Sequence, residues 1–221
     1  MTAQAAWAAL DQPWPIALEE AWTSWCKGCV GVGAVIVDGD GQVVSTGRNR
    51  MLEDEPEPRQ LSGTPLAHAE MNALARLRWG STRGLTLFTS LEPCFMCLAS
   101  ITMASISRVR FAAADPFWEW LHPHLREAPY CAERMPLREE PLPGPISVFA
   151  AALPMSFVHF WLPESPVVAV YRERAAALQE LAEDINASGR LAPLVEDGAT
   201  AFDAIEYLWP DLVRSADTAG A

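Results

Sequence analysis

The chain has 221 residues, half of them hydrophobic, and a formal charge of −12 from 28 acidic and 16 basic residues. That length suits one domain with appendages, and no apolar run approaches the roughly 18 residues that span a bilayer. The N-terminus lacks a basic region ahead of an apolar stretch, so the expectation is a cytoplasmic protein with no membrane partner; the acidic balance also makes nucleic acid unlikely as a partner, because phosphates draw on Lys and Arg.

Beyond Pro13 and Pro15, Ile16, Leu18, Ala21, Trp22 and Trp25 recur at helical spacing, and Gly28 can end that helix. Residues 30–49 predict two strands joined by a tight turn at Asp38-Gly39-Asp40-Gly41. The acidic stretch from Glu53 to Gly63 contains two prolines and no period, and reads as a solvated loop. Thr64-Pro65 then predicts a helix start, with Thr64 as cap, and the helix runs through Trp79 to about Gly80.

Residues 85–90 form a buried strand, 94–105 a helix and 108–113 another strand. After Asp115 come an aromatic helix over 117–127, a proline-rich segment over 136–145 and a fifth strand over Ile146–Ala152. A long helix spans 166–187 and stops at Ser188-Gly189, and a last one covers 199–214. Strands alternating with helices predict an α/β layered domain whose sheet is partly parallel. Residues 1–152 are expected to form the core, and 153–221 a helical C-terminal extension packed on it.

Two segments carry the chemistry: His68-Ala69-Glu70 and Pro93-Cys94-Phe95-Met96-Cys97, each at the start of a helix. Backbone N–H groups and the helix dipole favour thiolates at such a position. One imidazole and two thiolates make three protein ligands and leave a fourth tetrahedral position open, the arrangement of a catalytic zinc (Zn2+). Glu70 need not be a ligand, and a carboxylate beside the metal is placed to move protons.

The other three cysteines fit no disulfide framework: Cys26 and Cys29 read as buried thiols at a helix end, and Cys131 as inert. His122 and His124 read as loop or surface residues and His159 as a satisfied core residue. Phe117, Trp118 and Trp120 can stack on a flat heterocycle or pack the tail onto the core. Asp115 can bind an exocyclic amine or cap a turn, with the turn preferred.

His68-Ala69-Glu70 together with Thr89-Ser90-Leu91-Glu92-Pro93-Cys94-Phe95-Met96-Cys97 resembles the cytidine/deoxycytidylate deaminase superfamily, on the branch of guanine, cytosine and tRNA adenosine deaminases. The resemblance covers about Trp14 to Asp115. It implies a three-layer α/β/α cytidine-deaminase-like fold: a mixed five-stranded sheet with the two motif helices on one face. It also implies that His68, Cys94 and Cys97 hold zinc, that Glu70 is catalytic, that Asn49, Ala69 and Ser90 meet the substrate, and that the segment holding two further candidate substrate contacts, Asp115 and Trp118, shapes substrate choice. The expected reaction is hydrolytic deamination of a free nucleobase or nucleoside, a purine such as guanine ahead of cytosine, by a homodimer. The alternatives are tRNA adenosine deamination and a non-catalytic zinc-binding relative.

Overall fold

The computed structural model describes residues 1–78, 80, 82–139 and 141–219. In chain order, helices α1 (Ala3–Ala8) and α2 (Pro13–Cys26) lead to a hairpin of β1 (Gly33–Val37) and β2 (Val43–Arg48). Helix α3 (Ala69–Ala75), β3 (Thr86–Leu91), α4 (Phe95–Met103) and β4 (Arg108–Ala113) follow. Short helices α5 (Leu121–Leu125) and α6 (Pro129–Arg134) precede the two-residue β5 (Leu137–Arg138). The remainder is helical: α7 (Pro145–Trp161), α8 (Pro166–Arg174), α9 (Ala176–Ser188), α10 (Ala192–Glu196) and α11 (Ala201–Ala219).

The strands form one mixed sheet in the order β2-β1-β3-β4-β5. Strand β1 runs antiparallel to both neighbours, pairing Ala34 with Gly47 and Val35 with Phe88, whereas β3, β4 and β5 are mutually parallel. Side chains alternate between two buried faces, as the period of a strand requires. Ala34, Ile36, Leu87 and Val109 join Ala69, Ala73 and Ile101 of α3 and α4 on one face. Val35, Val37, Phe88 and Ala112 meet Trp14, Leu18 and Trp22 of α2 and Phe149 and Leu153 of α7 on the other. Three layers result, with the motif helices together on one side.

Several expected boundaries move, each for a local reason. Helix α2 ends at Cys26, and Gly28 adopts a positive φ of 72° there, as expected of a helix stop. Helix α3 begins at Ala69 rather than at Thr64-Pro65: Thr64 to Ala67 form a turn, and the extended backbone of His68 (φ −72°, ψ 158°) makes that residue the N-cap. It ends at Ala75, and Trp79 lies outside the described residues. Residues 146–152 are not a strand. Ile146 and Val148 suit one, but they belong to the 17-residue helix α7, whose residues 146–156 are buried on nearly every side. The fifth strand is instead Leu137–Arg138, inside the proline-rich segment and too short to leave a period. Ala175 (φ −144°, ψ 49°) divides the expected long helix into α8 and α9. The aromatic helix shrinks to α5, preceded by turns at Asp115–Leu121.

Gly47 fixes how closely α3 approaches the sheet. A Cβ there would lie 2.4 Å from both the Ala69 carbonyl oxygen and the Ala73 nitrogen. Backbone cannot give way as a side chain does, so Gly47→Ala is expected to cost about 3 kcal/mol in urea unfolding. A loss below about 0.5 kcal/mol would show that the spacing is not tight.

Candidate active site

His68 and Cys94 occupy equivalent positions. Each is the extended N-cap residue of its helix, and neither side chain caps its own backbone, so both are free to turn toward the space between the helix starts. Cys97 sits one turn into α4. The His68 Nδ1 lies 3.7 Å from the Cys94 Sγ and 3.5 Å from the Cys97 Sγ, and the three ligand atoms all fall within 4.8 Å of one another. Ligands held about 2.0–2.3 Å from one tetrahedral zinc are separated by about 3.5–3.8 Å. The donor set and its spacing therefore fit a zinc ion with one position left for another group.

Glu70 enters from α3 beside the cluster, 3% exposed, with its Oε2 accepting from the Cys97 thiol at 3.3 Å. Burial pushes its carboxyl above the usual range, and the charge of Cys94 adds to the effect. Hydrogen bonding with Cys97 and with His68 holds the Cys94 thiol down to about 4 against the opposing effect of burial. Cys97 itself is pushed well up by the same bond and by burial. Burial lowers the His68 pKa, but its bond with Cys94 and the charge of Glu70 outweigh that and leave it raised.

The expected substrate contacts sit around this centre in different ways. Asn49 is buried; its Oδ1 accepts the Met51 N–H at 3.1 Å, and its Nδ2 donates to nothing among the described residues. The next residue ties it to the site, because the Arg50 N–H bonds the Ala67 carbonyl beside His68. Ala69 packs into the core beneath α3. The Ser90 Oγ accepts the Gly33 N–H at 3.1 Å, so that hydroxyl braces β1. Asp115 caps its turn, accepting the Phe117 N–H at 2.9 Å, while its own N–H donates to Glu92 at 3.1 Å. Trp118 lies edge-on to Phe117 and packs in a crevice with Pro93, Leu98 and Phe111.

Three buried or half-buried polar residues had no distinguishing sequence signal. Asn72, fully buried, donates to the carbonyls of Arg48 and Leu61 and accepts the Leu61 N–H, locking the β2–α3 loop onto the motif helix. Glu92 accepts from Arg138 Nη2 at 2.7 Å, which joins β5 to the strand end just before Cys94. The acidic stretch is also not simply solvated: Glu53 pairs with Arg48 and Arg50, and Glu57 with Arg50 and Arg76. His122 is half-buried with its Nε2 unpaired in the Trp118 crevice, whereas His124 bonds the Trp120 carbonyl. His159 is half-buried and meets Gln179 and Glu183.

Residues 11–113 match the family model of the cytidine and deoxycytidylate deaminase zinc-binding region. The match contains all three ligands and Glu70. Through that region the chain is similar to the cytidine deaminase-like zinc deaminases. Among its relatives, the tRNA-specific adenosine deaminase of Aquifex aeolicus is 36% identical over 104 residues, 45% of this chain and 63% of that protein. The tRNA(Ile)-lysidine synthase of Deinococcus radiodurans is 37% identical over 91 residues, which are 39% of this chain and 14% of that protein. The chain thus spans less than two thirds of the length of these curated relatives. A solved structure of a protein in complex with 8-azaguanine shares the fold, with a TM-score of 0.50, 18% identity, and coverage of 66% of this chain and 83% of that one. No helix among the described residues is long and apolar enough to cross a membrane.

The purified protein is expected to carry about one zinc per chain; Cys97→Ser should lose it, and Glu70→Gln should keep it, by elemental analysis. Burial raises the Asp115 carboxyl from 3.8 to about 6. The folded state therefore holds that proton more tightly than the unfolded chain, and this contribution to stability is lost as pH rises through about 6. Relative to Asp115→Asn, the wild type should lose on the order of 1 kcal/mol between about pH 5 and pH 7 in urea titrations. A pH-independent difference would contradict the assignment.

Proposed function

We propose that this chain is a zinc-dependent hydrolytic deaminase of an amine-bearing purine, and that adenosine in tRNA is the substrate to test first. The observation that carries the deaminase reading is Glu70: a buried carboxyl 3.3 Å from a ligand sulfur, on a different helix from both thiols. A zinc ion bound by His68, Cys94 and Cys97 would act as a Lewis acid and make water acidic enough to serve as nucleophile near neutral pH.

Glu70 does the remaining proton work. It takes a proton from the attacking water and delivers it to the ring nitrogen, then moves a second proton to the departing amine, which leaves as ammonia while the carbon keeps the oxygen. A carboxyl raised by burial accepts and returns protons more readily near neutral pH than an exposed one. Asn49 offers two N–H donors from Nδ2, which suit an acceptor on a base edge. We assign the chemistry to residues 1–152 and a supporting role to 153–221; because α7 runs through residue 152, the border is one of role.

The tRNA reading is supported by the similarity to tRNA-specific adenosine deaminases. A second reading, a free purine base or nucleoside, is favoured by charge. Arg48, Arg50 and Arg76 beside the site are already paired with Glu53 and Glu57, in a chain of net charge −12. The free thiols suit a reducing, cytoplasmic compartment.

Ammonia release should be measured on transfer RNA and on free bases and nucleosides, with inosine scored in the RNA. Glu70→Gln is expected to lower turnover by about 1,000-fold or more while zinc stays bound. Turnover of RNA, weakened steeply by salt, selects the first reading; turnover of a free purine alone selects the second. Folded, zinc-loaded protein that acts on neither would overturn both.

A further inference from the structure

Helix α8 belongs to the C-terminal extension, yet one of its faces is directed at the segment that follows β4. Val168, Tyr171 and Arg174 recur every third residue and so share that face. Arg174 donates from Nη1 to the Pro116 carbonyl at 3.0 Å and from Nη2 to the Glu119 carboxylate at 2.6 Å. Tyr171 is 1% exposed, and its hydroxyl faces the Asp115 carboxyl without a formed hydrogen bond to any described group. Both α8 side chains thus bear on Asp115–Glu119 from one side.

From the other side the same segment is fastened to the metal-ligand helix. The Asp115 N–H donates to Glu92, two residues before Cys94, and the Glu92 N–H donates to the Ala113 carbonyl at 2.9 Å. Within the segment, Phe117 donates to the Asp115 carboxylate, and Trp118 and Glu119 to its carbonyl. Trp118 lines the same crevice as Pro93. Turns of this kind open locally unless groups outside them hold them closed.

We propose that α8 is a positioning element of the active site, in which Arg174 and Tyr171 hold the Asp115–Glu119 turn against Glu92 and Pro93 and so set the wall beside Cys94 that the substrate meets. This assigns the C-terminal extension a part in substrate binding, and its catalytic half rests on the deaminase reading above. Neither residue touches the reacting atoms.

The test uses the full-length, zinc-loaded protein with Arg174→Ala, Tyr171→Phe, the double variant and Arg174→Lys. Arg174 is half-exposed and Tyr171→Phe keeps the ring, so each variant should fold. In the double variant, amide hydrogen exchange at Phe117, Trp118 and Glu119 is expected to quicken about tenfold, with exchange in β3 unchanged. Arg174→Lys, which keeps the charge and one donor, should fall between. On the substrate that the wild type turns over, Arg174→Ala should raise KM about fivefold at constant kcat. Unchanged exchange at those three amides in the double variant overturns the proposal, as does a uniform rise across β3 and the turn, which would mean only a looser fold. If the wild type deaminates nothing, the function reading fails, and the exchange result still decides whether α8 holds the turn.

Discussion

Everything in the site depends on two helix starts meeting at one end of the sheet. Strand β1 is antiparallel to both β2 and β3, so β2 and β3 run the same way and their C-terminal ends lie at one end of the sheet, on either side of the start of β1. Each is followed by a helix on the same face, and each helix opens on an extended residue whose side chain is free: His68 for α3, Cys94 for α4. Ligand atoms 26 residues apart in sequence come within 3.7 Å as a result. Gly47 and Asn72 guard that convergence from the β2 side, one by permitting close approach and the other by locking the loop. Glu92 guards it from the β3 side.

Charge is arranged locally rather than spread evenly. The arginines beside the site do not form a free basic rim, because Glu53 and Glu57 lie among them. Arg50 is nearly inaccessible and is held by three acceptors from the loop, including the Glu55 carbonyl. These pairs are partly withdrawn from water, so screening by salt weakens them less than it would at a surface. The loop that appears merely acidic in sequence thereby braces the end of β2 and the segment just after it, where Asn49 lies.

The extension also supplies much of the third layer. Helices α7 and α11 cover α2 and the sheet face that α2 leaves open, and the Trp22 indole donates to the Ala199 carbonyl at 2.7 Å across 177 residues of chain. Ala201, Ile205, Leu208 and Leu212 of α11 form one buried stripe. Core and extension consequently share one hydrophobic interior, and separating them would expose the inner faces of both.

The sequence by itself determined the layered α/β class, the hairpin and the β3–α4–β4 unit, and it picked out the His68, Cys94 and Cys97 cluster that could hold a metal, with Glu70 beside it. Each of these is written in local signals: a ligand spacing, a period of two or of 3.6, a turn residue at its place. Tertiary structure alone decided what those signals do not encode. Residues 146–152 became helical because the layer over β3 and β4 needed a long buried element, and a two-residue strand at Leu137 found its partner only through pairing with β4. Ser90 turned to brace β1, Asp115 to cap its turn, and Glu53 to pair with arginines, since a buried polar group takes whichever partner the fold brings near. Local pattern names the elements and the chemistry, whereas partnership among buried polar groups is a property of distance in space, which no spacing along the chain records.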